Sequence, residues 1–438
     1  MDLPSFIHTL TWQDLPVNVQ HQARRCLLDT IGTAIGGRQT PVSRIIHDFA
    51  AAVYGGQSAT LWFDGRTASP PGAALANATT IDALDLHDGH PLTKGHAGVA
   101  VIPAAFAFLQ GQPISGRELL TRIVIGYEIA LGAGIALHAT ACDYHTSGAW
   151  NALGCAAVGA RHLRLSVEQT RHALGIAEYN GPRSQMMRCI DHPTMVKDGS
   201  GWGAMTGVSA ALLAQAGFTG APALTVETAD IADLWADLGQ RWRMLEQYIK
   251  PHAVCRWAQP AIEGALNLQQ TYQLQPEQIE RIAVYTFHNA VRLDVCRPVD
   301  TEAAQYSLPF PVAAALVHGK LGGAQLTGNA LTDPRVLRLA ERVELSEEPE
   351  FQAQFPARRF ARVQIETSNG ERYDSGPVEA KWNAEEPPTD DELRAKFRWI
   401  AGEVLPTARV QALETALWQC ADYPDARAIS ALLAQAVR

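Results

Sequence analysis

The sequence predicts a mainly α-helical protein carrying a second, smaller α+β unit. Residues 1–249 and 384–438 should form one large multihelical domain, with an α+β lid domain inserted at 250–383. Three observations lead there. A chain of 438 residues, 47% hydrophobic and only 18% charged, has more to bury than one ordinary core holds. The first 250 or so residues carry apolar positions at helical spacing. After about residue 275 the texture turns to β-branched and aromatic residues with turn signals between them.

Each element has its own local reason. In "VQHQARRCLLDTIGTAIGG", Val19, Ala23, Cys26, Leu27, Thr30, Ile31 and Ala34 recur at three- and four-residue steps, with Gly36-Gly37 placed to close the helix. "SVEQTRHALGIA" opens on Ser166 and Gln169 at capping-box spacing. In "SGWGAMTGVSAALLAQAG", Gly203, Gly207, Ala211 and Ala214 form a small-residue stripe that lets helices approach closely. Further on, "RIAVYTFHNAV" reads as a strand, and "ARVQIETSNGERYDSG" as a hairpin turning at Asn369-Gly370. "PFPVAAALVHG" and "DPRVLRLAERV" between them look helical. "NAEEPPTDD" marks the boundary, and Thr389 with Glu392 caps a helix that returns the chain to the helical body.

Composition narrows the functional classes. A net charge of −9, from 36 basic against 45 acidic residues, argues against nucleic-acid binding or an anionic membrane surface. No apolar run near the roughly 18 residues of a membrane span is apparent, and MDLPSFIHTL lacks the basic start and apolar core of a signal peptide. Seven scattered cysteines with no CxxC fit reduced thiols, so a cytoplasmic protein is expected.

Ionisable residues collect in four places. "DALDLHDGHPLTKGH" packs Asp82, Asp85, His87, Asp88, His90, Lys94 and His96 between apolar stretches. "CDYHTSGAWNALG" puts His145 just before a small-residue helix. "RCIDHPTMVKDGSGWG" brings Arg188, Asp191, His192, Lys197 and Asp198 to a glycine-rich helix start, and "QYIKPHAVCRWAQPAI" sets Lys250, His252, Cys255 and Arg256 at the domain boundary. Each alone reads as capping loop, helix-end histidine or surface charge. The acidic and imidazole groups of the first cluster, Asp85, His87 and His90 among them, also suit a divalent metal, but no HExxH pattern appears, so no metal is expected. The glycines after Lys197 lack GK[ST] and a preceding strand, which leaves no nucleotide motif. Together the lysines, arginines and histidines suit chemistry on small polyanionic acids. Cations stabilise the charge that builds on a carboxylate while a neighbouring proton is removed by a base.

These residues also carry a resemblance. "DALDLHDGH…GHAGVAVIPAAFA" resembles the HALDFDDTH…HPxxxVIPAALA signature of the MmgE/PrpD family. "KPHAVCRWAQPAIEGAL" is similar to its KPYPCCRWTHPAIDA segment, and "TEAAQYSLPFPVAAALVHG" to its AQFSLPYxVAAAL segment. The family includes 2-methylcitrate dehydratase, cis-aconitate decarboxylase and iminodisuccinate epimerase. The resemblance implies a helical domain with an α+β lid, a homodimer, and no metal or organic cofactor. It places the catalytic site at Asp85, His96, His145, Lys197 and Lys250. Gly89, His87, His90, Arg188, Cys255, Arg256 and Phe310 are expected beside the substrate. Gly89 stands for a threonine of the family pattern, His87 for an aspartate, Cys255 for a histidine of the decarboxylases and Phe310 for a tyrosine. The expected activity is a hydro-lyase on a small di- or tricarboxylic acid. An epimerase or isomerase of a substituted dicarboxylate, a cis-aconitate decarboxylase-like enzyme and a catalytically silent carboxylate-binding dimer are the alternatives. The crowded first cluster is then one wall of a polyanion pocket, with His87, Asp88 and His90 mainly holding its turn.

Overall fold

Val19, Ala23, Cys26, Leu27, Thr30, Ile31 and Ala34 all lie buried on the helix Val17–Gly37 in the computed structural model, which describes residues 2–437. The helix ends at Gly37, as the glycine pair predicts, although the cap, Arg38, is right-handed rather than a left-handed glycine. Both glycines stay helical, and a β-carbon on Gly37 would stand 2.0 Å from the Thr80 carbonyl oxygen. They let this helix lie directly against the helix Pro70–Asp82, which ends where the ionisable segment begins.

The axis of the helical body is Gly116–Thr140, and it corrects the expectation that no stretch is apolar enough to cross a membrane. By length and mean hydropathy (1.5) it qualifies, yet 94% of its apolar window is buried inside the protein. Glu128, which interrupts the run in sequence, accepts hydrogen bonds from the amides of Arg243 and Met244, both at 2.9 Å. A buried carboxyl bonded in this way is compatible with a core helix. Helices Gly98–Ala107 and Gly148–Leu163 pack on this axis, and Ser200–Gln215 crosses the latter. There the small-residue stripe sets the distance. A β-carbon on Gly207 would lie 2.3 Å from the Ala152 carbonyl oxygen, and one on Gly203 2.1 Å from Asn151 Oδ1. Both capping boxes form, Ser166 with Gln169 and Thr389 with Glu392.

The apolar interior divides into two large clusters and a small third one of Ala50, Ala59, Leu61, Ala68, Ala73 and Ala76. The larger of the two large clusters runs from Phe6 to Ile249 and resumes at Leu393 through Leu433, because the helix Asp390–Gly402 returns to pack on Val17–Gly37. There Lys396 Nζ pairs with Asp29 Oδ1 at 2.6 Å and donates to the Leu86 carbonyl oxygen at 3.1 Å. The smaller of the two runs from Ala253 to Ile365, joined by Leu84, Leu86, Met186, Cys189, Ile190 and Ile400 across the seam. Its sheet has the order Val343–Glu347, Ile279–Thr286, Phe360–Thr367, Arg372–Glu379, the first pair parallel and the others antiparallel. Strand Phe360–Thr367 alternates strictly, burying Ala361, Val363, Ile365 and Thr367, and the helix Gln259–Tyr272 packs on it. The hairpin turns through Gly370 at φ 85°, a left-handed conformation that glycine adopts without strain.

Candidate active site

Where the two large clusters meet, an inner cavity of about 30 Å³ is enclosed by groups from both, among them Asp85, His96, Asp198, Lys250, Tyr306 and Arg359. That is room for one or two water molecules. Tyr248, Arg256 and Arg359 also line an outer groove of about 870 Å³, so these three side chains stand between the enclosed space and the wide one.

Asp85 follows the helix Pro70–Asp82 with φ 48°, and Lys94 and Lys197 have φ 52° and 51°. A left-handed non-glycine residue costs roughly 1–2 kcal/mol, and persists where its surroundings over-determine it. At Asp85 the determinant is Lys250, fully buried, whose Nζ donates to the Asp85 carbonyl oxygen at 2.8 Å and to its carboxylate. Burial alone would raise the Asp85 carboxyl, but Lys250, Lys197 and His96 outweigh it and hold the group well below the usual carboxylate range. Burial likewise opposes charge on Lys250, and Asp85 reverses this, so the lysine is held above its ordinary value. Lys197 Nζ donates to Gln305 Oε1 and stands 5.0 Å from the Tyr306 ring centre. Gln305 Nε2 in turn donates to the Ala83 carbonyl oxygen at 2.6 Å, which ties this lysine to the Asp85 turn.

His96 is the one imidazole in the cavity wall. Its Nδ1 lies 2.6 Å from the Asp88 carbonyl oxygen, an acceptor only, so Nδ1 carries the proton and Nε2 is free. Nε2 is 4.0 Å from Asp85 Oδ1. Burial, reinforced by the charge of Lys250, pushes this imidazole well below its ordinary pKa, and the ring is neutral at neutral pH. Ser147, just ahead of Gly148–Leu163, holds two groups of the site. Its Oγ accepts from the His96 amide at 2.9 Å, and its amide donates to Asp198 Oδ1 at 3.0 Å. Burial and the nearby Asp82 push the Asp198 carboxyl up to about 8.

The remaining residues singled out in the sequence are distributed as follows. Gly89 pairs with Tyr248 through both backbone bonds, at 3.0 and 2.8 Å, and a β-carbon there would sit 2.5 Å from Tyr248 Oη and 2.7 Å from His96 Nδ1. The space left by the threonine of the family pattern is therefore filled by a tyrosine. His87 Nε2 is 3.3 Å from Asp82 Oδ1, and His90 Nε2 3.1 Å from Glu246 Oε2; both brace the turn and neither lines the inner cavity. Cys255 does line it, its thiol pushed up to about 12 by burial and Asp85, hence protonated. Arg256 stacks 4.3 Å over the Tyr248 ring and donates to the Lys381 carbonyl oxygen at 3.3 Å. Lys197 is not in the cavity wall, and three further residues lie off it. His145 Nε2 faces Asp143 Oδ1 at 2.9 Å, an ion-pair distance without hydrogen-bond alignment. Arg188 is exposed, with Ser184 Oγ 3.3 Å away. Phe310 is wholly buried in the smaller core, because its helix Pro309–His318 turns that face to its own unit.

Gln305, Tyr306, Tyr248, Asp198, Lys94 and Arg359 belong to the site without having been singled out for it. Gln305 and Tyr306 lie in the same "AQYSLPF" segment as Phe310, where their polarity amid apolar neighbours was the available signal. Asp85, His87 and His96 also bring one ligand atom each within 4.8 Å of one another, with His96 where His90 was weighed in sequence. A dication fits poorly there. The Lys250 ammonium already occupies the Asp85 carboxylate, and His87 is engaged by Asp82.

A cavity of buried acids, bases and cations at the junction of two cores defines the chain as an enzyme of two-part, mainly helical architecture. The MmgE/PrpD N-terminal domain profile matches residues 1–237, and the MmgE/PrpD C-terminal domain profile residues 252–420. The chain belongs to the MmgE/PrpD family. The C-terminal match runs past the sheet into helices Asp390–Gly402 and Thr407–Trp418, which pack in space on the helical body. A cis-aconitate decarboxylase-like protein of Aspergillus oryzae is 25% identical over 99% of this chain and 96% of its own. Human cis-aconitate decarboxylase is 24% identical over 98% of this chain and 92% of its own. The 2-methylcitrate dehydratase of Escherichia coli is 24% identical over 82% of this chain and 80% of its own. Decarboxylase and dehydratase are both lyases, and the chain is an enzyme of this type.

Proposed function

We propose that the enzyme removes a proton next to a carboxylate of a small di- or tricarboxylic acid and expels the β-hydroxyl, as a hydro-lyase of the 2-methylcitrate dehydratase kind that uses no metal or organic cofactor. One observation carries this reading: a neutral His96 whose unprotonated Nε2 sits in a buried cavity beside a lysine held in its charged form. Nε2 takes the α-proton. Lys250, with Lys197 within Coulomb reach of the same carboxylate, offsets the charge that grows on the substrate. Asp85 keeps Lys250 charged and aimed. A positioned base contributes about 10²–10⁴-fold, and one electrostatic donor about 10²–10³-fold. The names of two relatives, cis-aconitate decarboxylase and 2-methylcitrate dehydratase, support the substrate class. So does the number of cations around the cavity, with Lys94, Arg256 and Arg359 in its wall beside Lys250. An acid of six or seven carbons exceeds the inner space, so binding requires the walls to part toward the outer groove, at Tyr248, Arg256 and Arg359.

A decarboxylase of the cis-aconitate kind is the second reading, favoured by a relative so named that matches 98% of the chain and one named decarboxylase-like that matches 99%. The test is incubation in heavy water with 2-methylcitrate, citrate, cis-aconitate and tricarballylate. NMR follows α-proton exchange, ultraviolet absorbance follows enoate formation, and trapping follows carbon dioxide. Exchange with enoate formation supports the hydro-lyase. Carbon dioxide release replaces it with the decarboxylase, and exchange with loss of optical rotation alone replaces it with an epimerase. Binding of the panel without exchange means a silent carboxylate-binding protein.

A further inference from the structure

We propose that Asp198 is the general acid of the site, delivering a proton from Oδ2 to the departing hydroxyl while His96 takes the α-proton. This deepens the hydro-lyase reading and rests on it. Three features of the geometry assign the role. Asp198 lines the inner cavity and is 3% exposed. Its Oδ1 is satisfied by the Ser147 amide at 3.0 Å, while its Oδ2 is buried with no partner. A buried, unpartnered carboxyl oxygen is costly, and such atoms occur where a function retains them. The third feature is its relation to the base. Ser147 holds Asp198 by its amide and the His96 backbone by its hydroxyl, so one residue spaces the two groups around the cavity.

The charge state follows from the surroundings. Burial and the like charge of Asp82 raise this carboxyl to about 8, against the Ser147 bonds that lower it, so it carries a proton at neutral pH. Asp85, equally buried but bonded to Lys250, is held ionised. Two carboxyl groups of one cavity are thus pushed apart, one to bind a cation and one to give a proton. In the step, the α-C–H electron pair becomes the C=C bond and its proton goes to His96 Nε2. The C–O bond breaks, and the leaving oxygen takes the Asp198 proton and departs as water. Asp198 is left as the carboxylate and His96 as the imidazolium. Return of the proton from one to the other through solvent closes the cycle.

The experiment separates the two proton transfers. Tricarballylate, which has no hydroxyl to lose, reports deprotonation alone by exchange in heavy water; 2-methylcitrate reports deprotonation with departure. In Asp198→Asn, dehydration of 2-methylcitrate should fall by about 10²–10⁴-fold, the usual worth of a positioned acid, while tricarballylate exchange stays within about tenfold of the wild type. Asp198→Glu, which restores a carboxyl, should recover part of the dehydration. In the wild type, dehydration should fall as pH rises through about 8, while exchange does not. Dehydration by Asp198→Asn at near wild-type rate overturns the proposal, and so does a parallel loss of exchange and dehydration in that variant. A wild type that exchanges nothing overturns the function proposed above. The acid is then judged by infrared difference spectra of the unliganded protein. A neutral-carboxyl carbonyl band at pH 7, absent from Asp198→Asn, supports the protonated group, and its absence from the wild type overturns it.

Discussion

Replacing Lys250 with methionine leaves the Asp85 carboxylate buried without the ammonium bonded to it. Methionine is close to lysine in volume, so packing changes little and the electrostatic loss dominates. Removing one partner of a buried ion pair costs about 3–5 kcal/mol. The pH dependence gives the sharper test. In the wild type, Asp85 is held below its ordinary 3.8, so its contribution is complete above that value and is lost only as pH falls below it. Lys250 is held above its ordinary 10.5, so its contribution is present below that value and is lost only on the alkaline side. The pair therefore adds no slope between about pH 5 and 10. In Lys250→Met, burial acts on Asp85 with its strongest counterweight gone, the carboxyl rises, and the folded state gains protons as pH falls. Stability should then increase on acidification by up to about 1.4 kcal/mol per pH unit. Urea unfolding followed by circular dichroism at pH 5, 6.5 and 8 measures this. Asp85→Asn in the same background should recover most of the loss and abolish the slope, a non-additivity expected only of coupled groups. Neither variant should exchange α-protons. A Lys250→Met protein within about 1 kcal/mol of wild type at pH 8, or one that Asp85→Asn does not rescue, would refute the ion-pair account of this site.

His96→Gln should suppress α-proton exchange by about 10²–10⁴-fold, whereas His145→Asn, off the cavity wall, should leave most of it; NMR in heavy water reads both. Gly89→Ala should destabilise by about 1–3 kcal/mol through overpacking and lower activity, since the new methyl meets both Tyr248 and His96. Tyr248→Phe should not rescue it, because the ring carbon Cζ itself is 2.6 Å from that methyl, while Tyr248→Ala should rescue in part; thermal unfolding of the double variants decides. Exhaustive chelation with EDTA should leave turnover intact. Loss of turnover restored by zinc or manganese would make Asp85, His87 and His96 a ligand set and displace Lys250 from its assigned part.

Much of the architecture is local and was readable for that reason. Capping boxes at Ser166 and Thr389, the Asn369-Gly370 turn and the alternation of Phe360–Thr367 each rest on residues a few positions apart, where propensity and periodicity act. The small residues of Ser200–Gln215 announced a close crossing, though not its partner. Gly36 and Gly37 show the limit. A glycine pair at a helix end signals a terminator, and the helix does end there, but only the Thr80 carbonyl, 2.0 Å from a would-be β-carbon, shows that the pair also permits close approach. Glu128 hid a core helix in the same way, because its satisfying amides come from more than 100 residues further along.

The site divides along the same line. Sequence alone determined which segments hold the acids, imidazoles and lysines, since titratable side chains crowded between apolar stretches are visible without coordinates. It determined the family too, through three motifs in order. Only the tertiary structure decided what each group does. A residue's role here depends on charge, burial and hydrogen bonding to atoms distant in the chain. Lys250 reaches Asp85 across 165 positions, and Lys197 reaches Gln305 across 108. One serine, Ser147, holds both the His96 backbone and the Asp198 carboxyl. Phe310, matched by motif, is turned into the smaller core by the packing of its helix, and His145 is not in the cavity wall. Protonation is set by the field of the whole cavity, so two buried aspartates, Asp85 and Asp198, end on opposite sides of neutrality.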